Sequence, residues 1–237
     1  MSDRTRRGAA LVALVLALGG CKSLPPFNAD LGRETSPMGA VRVPYAVAVS
    51  YFGYVQTGTD AADARAGNGG KKTLYLYLWL PDITPELGIR MLSPVAGLAA
   101  PTNRDFVEDS FRDKAATDPT SYFDPWIALQ RCLSTAAPED IAKPCGQWVS
   151  LGDNDDSAEL PPQPGGERHN ALLRVASGTD DPLKVLARGM YRIAFGTRKG
   201  SDMHGTFLTQ LGAPIELHGV AMARTTAELQ KLVATGR

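Results

Sequence analysis

The stretch at residues 73–80 limits the fold of this chain more than any other. Leucines alternate with aromatic residues along it: Leu74, Tyr75, Leu76, Tyr77, Leu78, Trp79 and Leu80. A strict period of two is typical of a β-strand whose two faces differ. A leucine face requires a hydrophobic core, and an aromatic face requires a helix, a loop or a partner to cover it. The stretch therefore predicts a strand that is covered on both sides.

Further short apolar segments predict more strands. They lie at residues 46–55, 88–92, 147–151, 172–176, 189–197, 205–211 and 215–220. Clusters of Gly, Pro, Asn and Asp separate them, which is the pattern of an all-β sandwich. The sequence therefore predicts an all-β fold.

Three segments with helical spacing interrupt the predicted strands. Phe106, Val107, Ser110 and Phe111 indicate a first helix, and residues 125–133 indicate a second, with Trp126, Leu129 and Leu133 on its inner face. Near the C-terminus, Thr225 and Glu228 form a capping box, which predicts an amphipathic helix carrying Leu229, Leu232 and Val233. We expect these helices to lie at the periphery of the sandwich.

The N-terminal residues have the features of an export signal. A basic segment with three arginines precedes an apolar run at residues 9–18, which is too short to span a bilayer. Leu18-Gly19-Gly20-Cys21 then matches the box of a bacterial lipoprotein, in which Cys21 is acylated; an ordinary signal peptide that ends at a cysteine is the alternative. Lys22 follows in place of the aspartate that retains lipoproteins in the inner membrane, so the outer membrane is favoured.

These features divide the chain into three parts. Residues 1–20 are predicted to be the signal peptide, residues 21–40 a lipidated tether rich in Pro and Gly, and residues 41–237 the folded domain. With residues 1–20 removed, the formal charge falls from zero to −2, because that segment carries three arginines and one aspartate. A nucleic-acid partner is excluded, since it would need a basic surface.

Cys132 and Cys145 would face an oxidising compartment, and either a disulfide or two buried thiols is consistent with the sequence.

An acidic run at residues 153–156 is the main candidate for binding. Carboxylates this close repel one another unless a cation lies between them, and calcium suits short acidic loops; the alternative is a solvated loop. The run is not an EF-hand, because Ala158 and Pro164 occupy the positions of the required glycine and glutamate. Asp124 is a candidate ligand from elsewhere in the chain. The sequence also fits Asp124 as the N-cap of the predicted helix that begins at Pro125.

Catalytic patterns are weak. Glu167-Arg168-His169 predicts a structural salt-bridge cluster, and a periplasmic hydrolase using Glu167 and His169 is a minor alternative. A second alternative is an adhesin or envelope-assembly module that acts through the aromatic face of Tyr75, Tyr77 and Trp79.

Several segments together resemble one family, the major surface lipoprotein of pathogenic leptospires and its relatives in marine bacteria. The matching motifs are Tyr51-Phe52-Gly53-Tyr54-Val55, Tyr75-Leu76-Tyr77-Leu78-Trp79-Leu80-Pro81, Leu87-Gly88-Ile89-Arg90-Met91-Leu92, Phe123-Asp124, Glu167-Arg168-His169-Asn170, Arg188-Gly189-Met190-Tyr191-Arg192 and Gly205-Thr206-Phe207. The resemblance runs from about residue 45 to residue 232. It implies a calcium-binding jelly-roll β-sandwich without enzymatic activity, anchored as an outer-membrane lipoprotein.

The resemblance also implies a metal site. The metal carboxylates of the family correspond to Asp124, Asp155 and Asp156. Pro125 replaces a threonine ligand and Leu172 replaces a tyrosine ligand, so each could offer only a main-chain oxygen. We therefore expect a non-enzymatic lipoprotein with calcium as its ligand.

The expected partners follow from the anchor and the resemblance. The lipid anchor makes the membrane a partner, while a protein or extracellular-matrix ligand and the oligomeric state are left open. The lysine-rich tail that the family uses for host matrix has no counterpart after Lys231, so adhesion to host proteins is not carried over.

Overall fold

The structure is a computed structural model that describes residues 27–28, 31–32, 34–35, 41–42, 44–58, 63–64, 71–95 and 98–236. The predicted signal peptide, Cys21 and much of the predicted tether lie outside these ranges. The boundaries predicted at residues 20 and 40 therefore stay predictions.

Strands dominate the described part of the chain. They are β1 Phe27–Asn28, β2 Glu34–Thr35, β3 Val41–Arg42, β4 Tyr45–Gln56, β5 Asp63–Ala64, β6 Lys72–Leu80, β7 Glu86–Leu92, β8 Phe106–Val107, β9 Pro125–Cys132, β10 Trp148–Asn154, β11 Ala171–Ala176, β12 Gly189–Thr197, β13 His204–Ala213 and β14 Ala221–Ala223. The helices are α1 Asp109–Thr117 and α2 Thr226–Thr235, with 3-10 helices at Pro138–Asp140 and Pro182–Lys184. Neither α-helix in these ranges has the length and apolar character needed to cross a membrane.

The long strands form two sheets in jelly-roll order. One sheet has the order β4-β13-β7-β11, with β1 and β8 added beside β4. The other has the order β6-β12-β9-β10, with β14 and β5 added beside β6. In chain order, the eight long strands are β4, β6, β7, β9, β10, β11, β12 and β13. The first sheet contains the first, eighth, third and sixth of these strands, and the second sheet contains the second, seventh, fourth and fifth. This is the arrangement of a jelly roll, and the expected fold class is confirmed.

The alternating strand at residues 73–80 lies inside β6 as predicted. Its four leucines point into the core between the sheets, where Leu76 packs with residues of the opposite sheet such as Ile89. On the outer face, Trp79 is buried against Leu229 of α2. The C-terminal amphipathic helix is therefore confirmed, and its function in the fold is to cover part of the aromatic face.

The rest of the aromatic face is not an open platform either. Tyr75 and Tyr77 are half-buried. The guanidinium of Arg192 lies 4.2 Å from the ring centroid of Tyr75 and 4.1 Å from that of Trp148. Cation–π contacts of this kind hold the rings in place. The arrangement argues against an adhesive surface made of exposed rings.

The helix predicted at residues 125–133 is wrong. This segment is β9, which pairs with β10 on one side and β12 on the other. Both of its faces are covered: Ile127 packs in the central core, whereas Trp126 packs on the outer face of the sheet. A strand buried on both faces is a continuous apolar run, and such a run cannot be told from a buried helix by its periodicity. Asp124 is accordingly not a helix N-cap.

Other predicted boundaries need correction. Residues 215–220 form a loop, and the strand follows at β14. Phe106 and Val107 pair in parallel with β4, so the first helix begins only at Asp109. The remaining predicted strands correspond to β4, β7, β10, β11, β12 and β13.

A disulfide joins Cys132 at the end of β9 to Cys145 in the segment before β10. Of the two alternatives left open by the sequence, the structure has the disulfide. Closing a loop of this length restricts the unfolded chain, which stabilises the native state by about 3 kcal/mol in the chain-entropy description.

Candidate metal centre

Strand pairing brings the acidic run to Asp124. In the antiparallel pair β10–β9, Asn154 lies opposite Ile127. The next two residues, Asp155 and Asp156, therefore reach the start of β9, which Asp124 directly precedes. Asp153 and Asn154 are the last two residues of β10, so only the second half of the acidic run lies outside a strand.

The other neighbour of β9 brings basic residues to the same place. Thr197 at the end of β12 lies opposite Pro125. One residue further, the N–H of Arg198 donates a hydrogen bond of 3.0 Å to the carbonyl oxygen of Asp124. Asp124 thus lies between an acidic segment on one side and a basic turn on the other.

Three side chains converge into a group that could hold a metal ion. Ligand atoms of Asp124, Asp156 and His169 lie within 4.8 Å of one another. Asp124 is only 8% exposed. Its Oδ1 atom is buried and has no hydrogen-bond partner among the described residues. An ionised carboxylate without a partner is costly to bury, so this atom is suited to a cation.

The electrostatic state of Asp124 reflects this environment. Burial, followed by the negative charges of Asp156 and Asp155, raises the pKa of Asp124 to about 6. The charges of His169 and Lys199 oppose this rise without cancelling it. The negative charge of the carboxylates around Asp124 is therefore not fully compensated by the two nearby basic side chains.

His169 links two carboxylates. Its Nδ1 lies 3.1 Å from Oδ1 of Asp156, and its Nε2 lies 3.0 Å from Oε2 of Glu167, which also accepts from Lys199 at 2.9 Å. The hydrogen bond with Asp156 is the largest cause that raises the pKa of His169. The sequence grouped His169 with Glu167 but missed its contact with Asp156. A histidine 13 residues after an acidic run was the available signal.

Asp155 is not part of the three-residue group and pairs with Arg198 instead. The Nε atom of Arg198 lies 2.8 Å from Oδ2 of Asp155. Of the three carboxylates that the resemblance implied as ligands, the structure therefore brings Asp124 and Asp156 together and places Asp155 in an ion pair. Sequence reasoning missed Arg198, since its partner lies more than forty positions earlier and no local motif connects them.

A family model of surface lipoproteins of the Spirochaetales order, Lipl32, matches residues 39–222. The chain belongs to this family. As a surface lipoprotein, it has the outer-membrane location that its N-terminal residues predicted. No curated protein matches the chain.

In this surface lipoprotein, the main-chain oxygens of Pro125 and Leu172 stay predicted ligands. Pro125 is the buried first residue of β9. The carbonyl oxygen of Leu172 accepts a hydrogen bond of 2.6 Å from Nδ2 of Asn154, which occupies one of its two lone pairs. Among the described hydrogen bonds, none connects either residue to the Asp124 group.

The structure of the surface lipoprotein gives little support to the alternative of a hydrolase that uses Glu167 and His169. A cavity of about 240 Å³ lies beside Asp124 and is lined by Glu167, Lys199 and Gln163, but not by His169. Glu167 is half-exposed and is paired with Lys199. A hydrolytic pair would need both side chains to face the cavity.

Proposed function

We propose that this surface lipoprotein is a non-enzymatic, lipid-anchored protein that binds calcium beside Asp124. Cys21 carries the acyl chains, and the jelly-roll domain presents its outer surface for contacts with proteins or with the envelope. The observation that carries the calcium proposal is the buried Oδ1 atom of Asp124, which has no partner among the described residues.

The donor set fits a hard cation. Asp124 and Asp156 supply two carboxylates directly, and Asp155 supplies a third if it exchanges its ion pair with Arg198 for the metal. Calcium takes about 6–8 oxygen ligands in flexible geometry, so main-chain oxygens of Pro125 and Leu172 and water could complete the shell. When bound, the ion supplies the positive charge that these carboxylates lack.

The protein itself has three roles at the site. The β9–β10 pairing holds Asp124 and Asp156 close together despite their repulsion. His169 holds Asp156 through Nδ1 and so limits its rotamers. The packing around Asp124 leaves Oδ1 without a hydrogen-bond partner among the described residues, so an ion that binds there displaces none.

The test is a pair of melting curves, with chelator and with calcium. At a calcium concentration of about one hundred times Kd, mass action stabilises the native state by about 2.7 kcal/mol. For a domain of this size, that raises Tm by about 5–10 °C. The double variant Asp155→Asn with Asp156→Asn is expected to lose the rise.

Asp82→Asn is the matched control. Asp82 is exposed and follows β6 at the end where Leu80 pairs with Gly189, which is the opposite end of the sheet from Thr197. The control should keep the full rise in Tm. An equal calcium-induced rise in the double variant and the wild type would remove the site as assigned.

A further inference from the structure

A basic turn, defined as Arg198 and Lys199, lies against the proposed metal site. It is the start of the connection from β12 to β13. Lys199 is paired with Glu167 at 2.9 Å, and Arg198 is paired with Asp155 at 2.8 Å. The basic turn therefore pairs with two acidic residues near Asp124.

The fold fixes Arg198 in this position. Its backbone N–H is bonded to the carbonyl oxygen of Asp124, in direct continuation of the β12–β9 ladder. The main chain of Arg198 is thus held by the residue whose carboxylate needs a cation. Its side chain pairs with Asp155, which is the third carboxylate of the calcium proposal.

We propose that Arg198 is an intramolecular competitor of calcium. In the calcium-free protein its guanidinium holds Asp155, and the ion gains this carboxylate only when the guanidinium leaves. This inference rests on the calcium site proposed above and adds the residue that sets its affinity. Arg198 thereby weakens calcium binding and shifts the response of the site to higher calcium concentrations.

The competition between Arg198 and calcium does not depend on the charge state of Arg198. The guanidinium remains charged at every physiological pH, so the competitor is not removed by deprotonation. The side chains of Arg198 and Asp155 are 43% and 34% exposed, so the ion pair is weak and can open. A cation that remains beside a divalent ion also repels it. Together these effects predict a five- to tenfold loss of affinity, which corresponds to about 1–1.4 kcal/mol.

The experiment compares Arg198→Gln with the wild type by calorimetric titration with calcium alone. Arg198→Gln is expected to bind calcium about five to ten times more tightly. Lys184→Gln is the matched control, because it removes one positive charge from an exposed residue of Pro182–Lys184, near the opposite end of β12. The control should bind within about twofold of the wild type.

A second measurement does not depend on calcium. With chelator present, Arg198→Gln should melt at a lower temperature than the wild type, because Asp155 then has no counter-ion beside Asp156 and Asp124. Arg198→Lys keeps a positive charge. Its calcium affinity should therefore be close to the weaker affinity of the wild type, and its calcium-free Tm should be close to that of the wild type.

The outcomes separate the two proposals. If the wild type binds calcium and Arg198→Gln binds it no more tightly, the competitor is overturned while the calcium site stands. If none of these proteins binds calcium, the proposed function fails and the competitor fails with it. Binding by Arg198→Gln at concentrations where the wild type does not bind supports both proposals.

Discussion

Asp124 is unfavourable for the calcium-free fold and, in the proposed function, favourable for calcium binding. Its side chain is buried, lacks a partner at Oδ1 among the described residues and lies beside a second carboxylate. A protein selected for stability alone would replace it with a neutral residue. Its presence is therefore best explained by a ligand that supplies positive charge.

This interpretation predicts a pH-dependent effect of Asp124→Asn in the presence of chelator. The folded pKa of Asp124, about 6, is above its ordinary value of 3.8, so the native state holds this proton more tightly than the unfolded state. The resulting stabilisation is fully present below pH 3.8 and is lost as the pH rises through about 6. Asp124→Asn should therefore equal the wild type near pH 4 and be more stable by about 2 kcal/mol at pH 8.

Urea unfolding at the two pH values measures this difference in stability. Asp82→Asn is the control, and its stability relative to the wild type should be the same at pH 4 and pH 8. A stability difference that is the same at pH 4 and pH 8 would contradict the prediction. In calcium, the order at pH 8 should reverse, because only the wild type gains stability from the ion.

Among the elements, α2 shows where sequence reasoning succeeds. Its capping residue, its amphipathic spacing and its length are all local properties. Thr225 Oγ1 accepts a hydrogen bond of 3.2 Å from the N–H of Glu228, as the capping pattern predicts. Leu229 then packs on the aromatic face of β6.

Thr225→Ala should destabilise the protein by about 1 kcal/mol, because the N–H of Glu228 loses its acceptor. Thr225→Ser keeps the hydroxyl and should lie within a few tenths of a kcal/mol of the wild type. Denaturant midpoints of the three proteins measure the effect. An equal loss in both variants would show that the methyl group of Thr225, and not the cap, is what matters.

Strand β9 shows where sequence reasoning fails. The alternation in β6 was readable because leucine and aromatic residues differ, whereas β9 carries apolar residues on both faces. The same error made Asp124 a helix cap. The acidic run and Asp124 were candidates from the sequence pattern itself, whereas only the resemblance selected Asp155 and Asp156 within the run. Arg198 was missed, because its position depends on the register of β12 against β9.

For the whole molecule, we expect the proposed anchor and the folded domain to act independently. In detergent phase partitioning, Cys21→Ser should move the protein from the detergent phase to the aqueous phase, because two or three acyl chains are what make membrane attachment stable. Ser23→Ala keeps the cysteine and should remain in the detergent phase. The calcium-induced rise in Tm should be the same in all three proteins. Retention of the Cys21→Ser protein in the detergent phase would show that another feature attaches it.

The jelly-roll order also has a kinetic consequence. The site combines segments at residues 124, 155–156, 169 and 198, which are distant in sequence and meet only when the strands of the second sheet have paired. Long-range pairings of this kind are slow to form, and we expect them to be incomplete in the folding transition state. Calcium should therefore leave the refolding rate nearly unchanged and slow unfolding, by about a hundredfold at one hundred times Kd, which stopped-flow measurements would detect. The ion would then determine how long the folded domain survives and not how fast it forms.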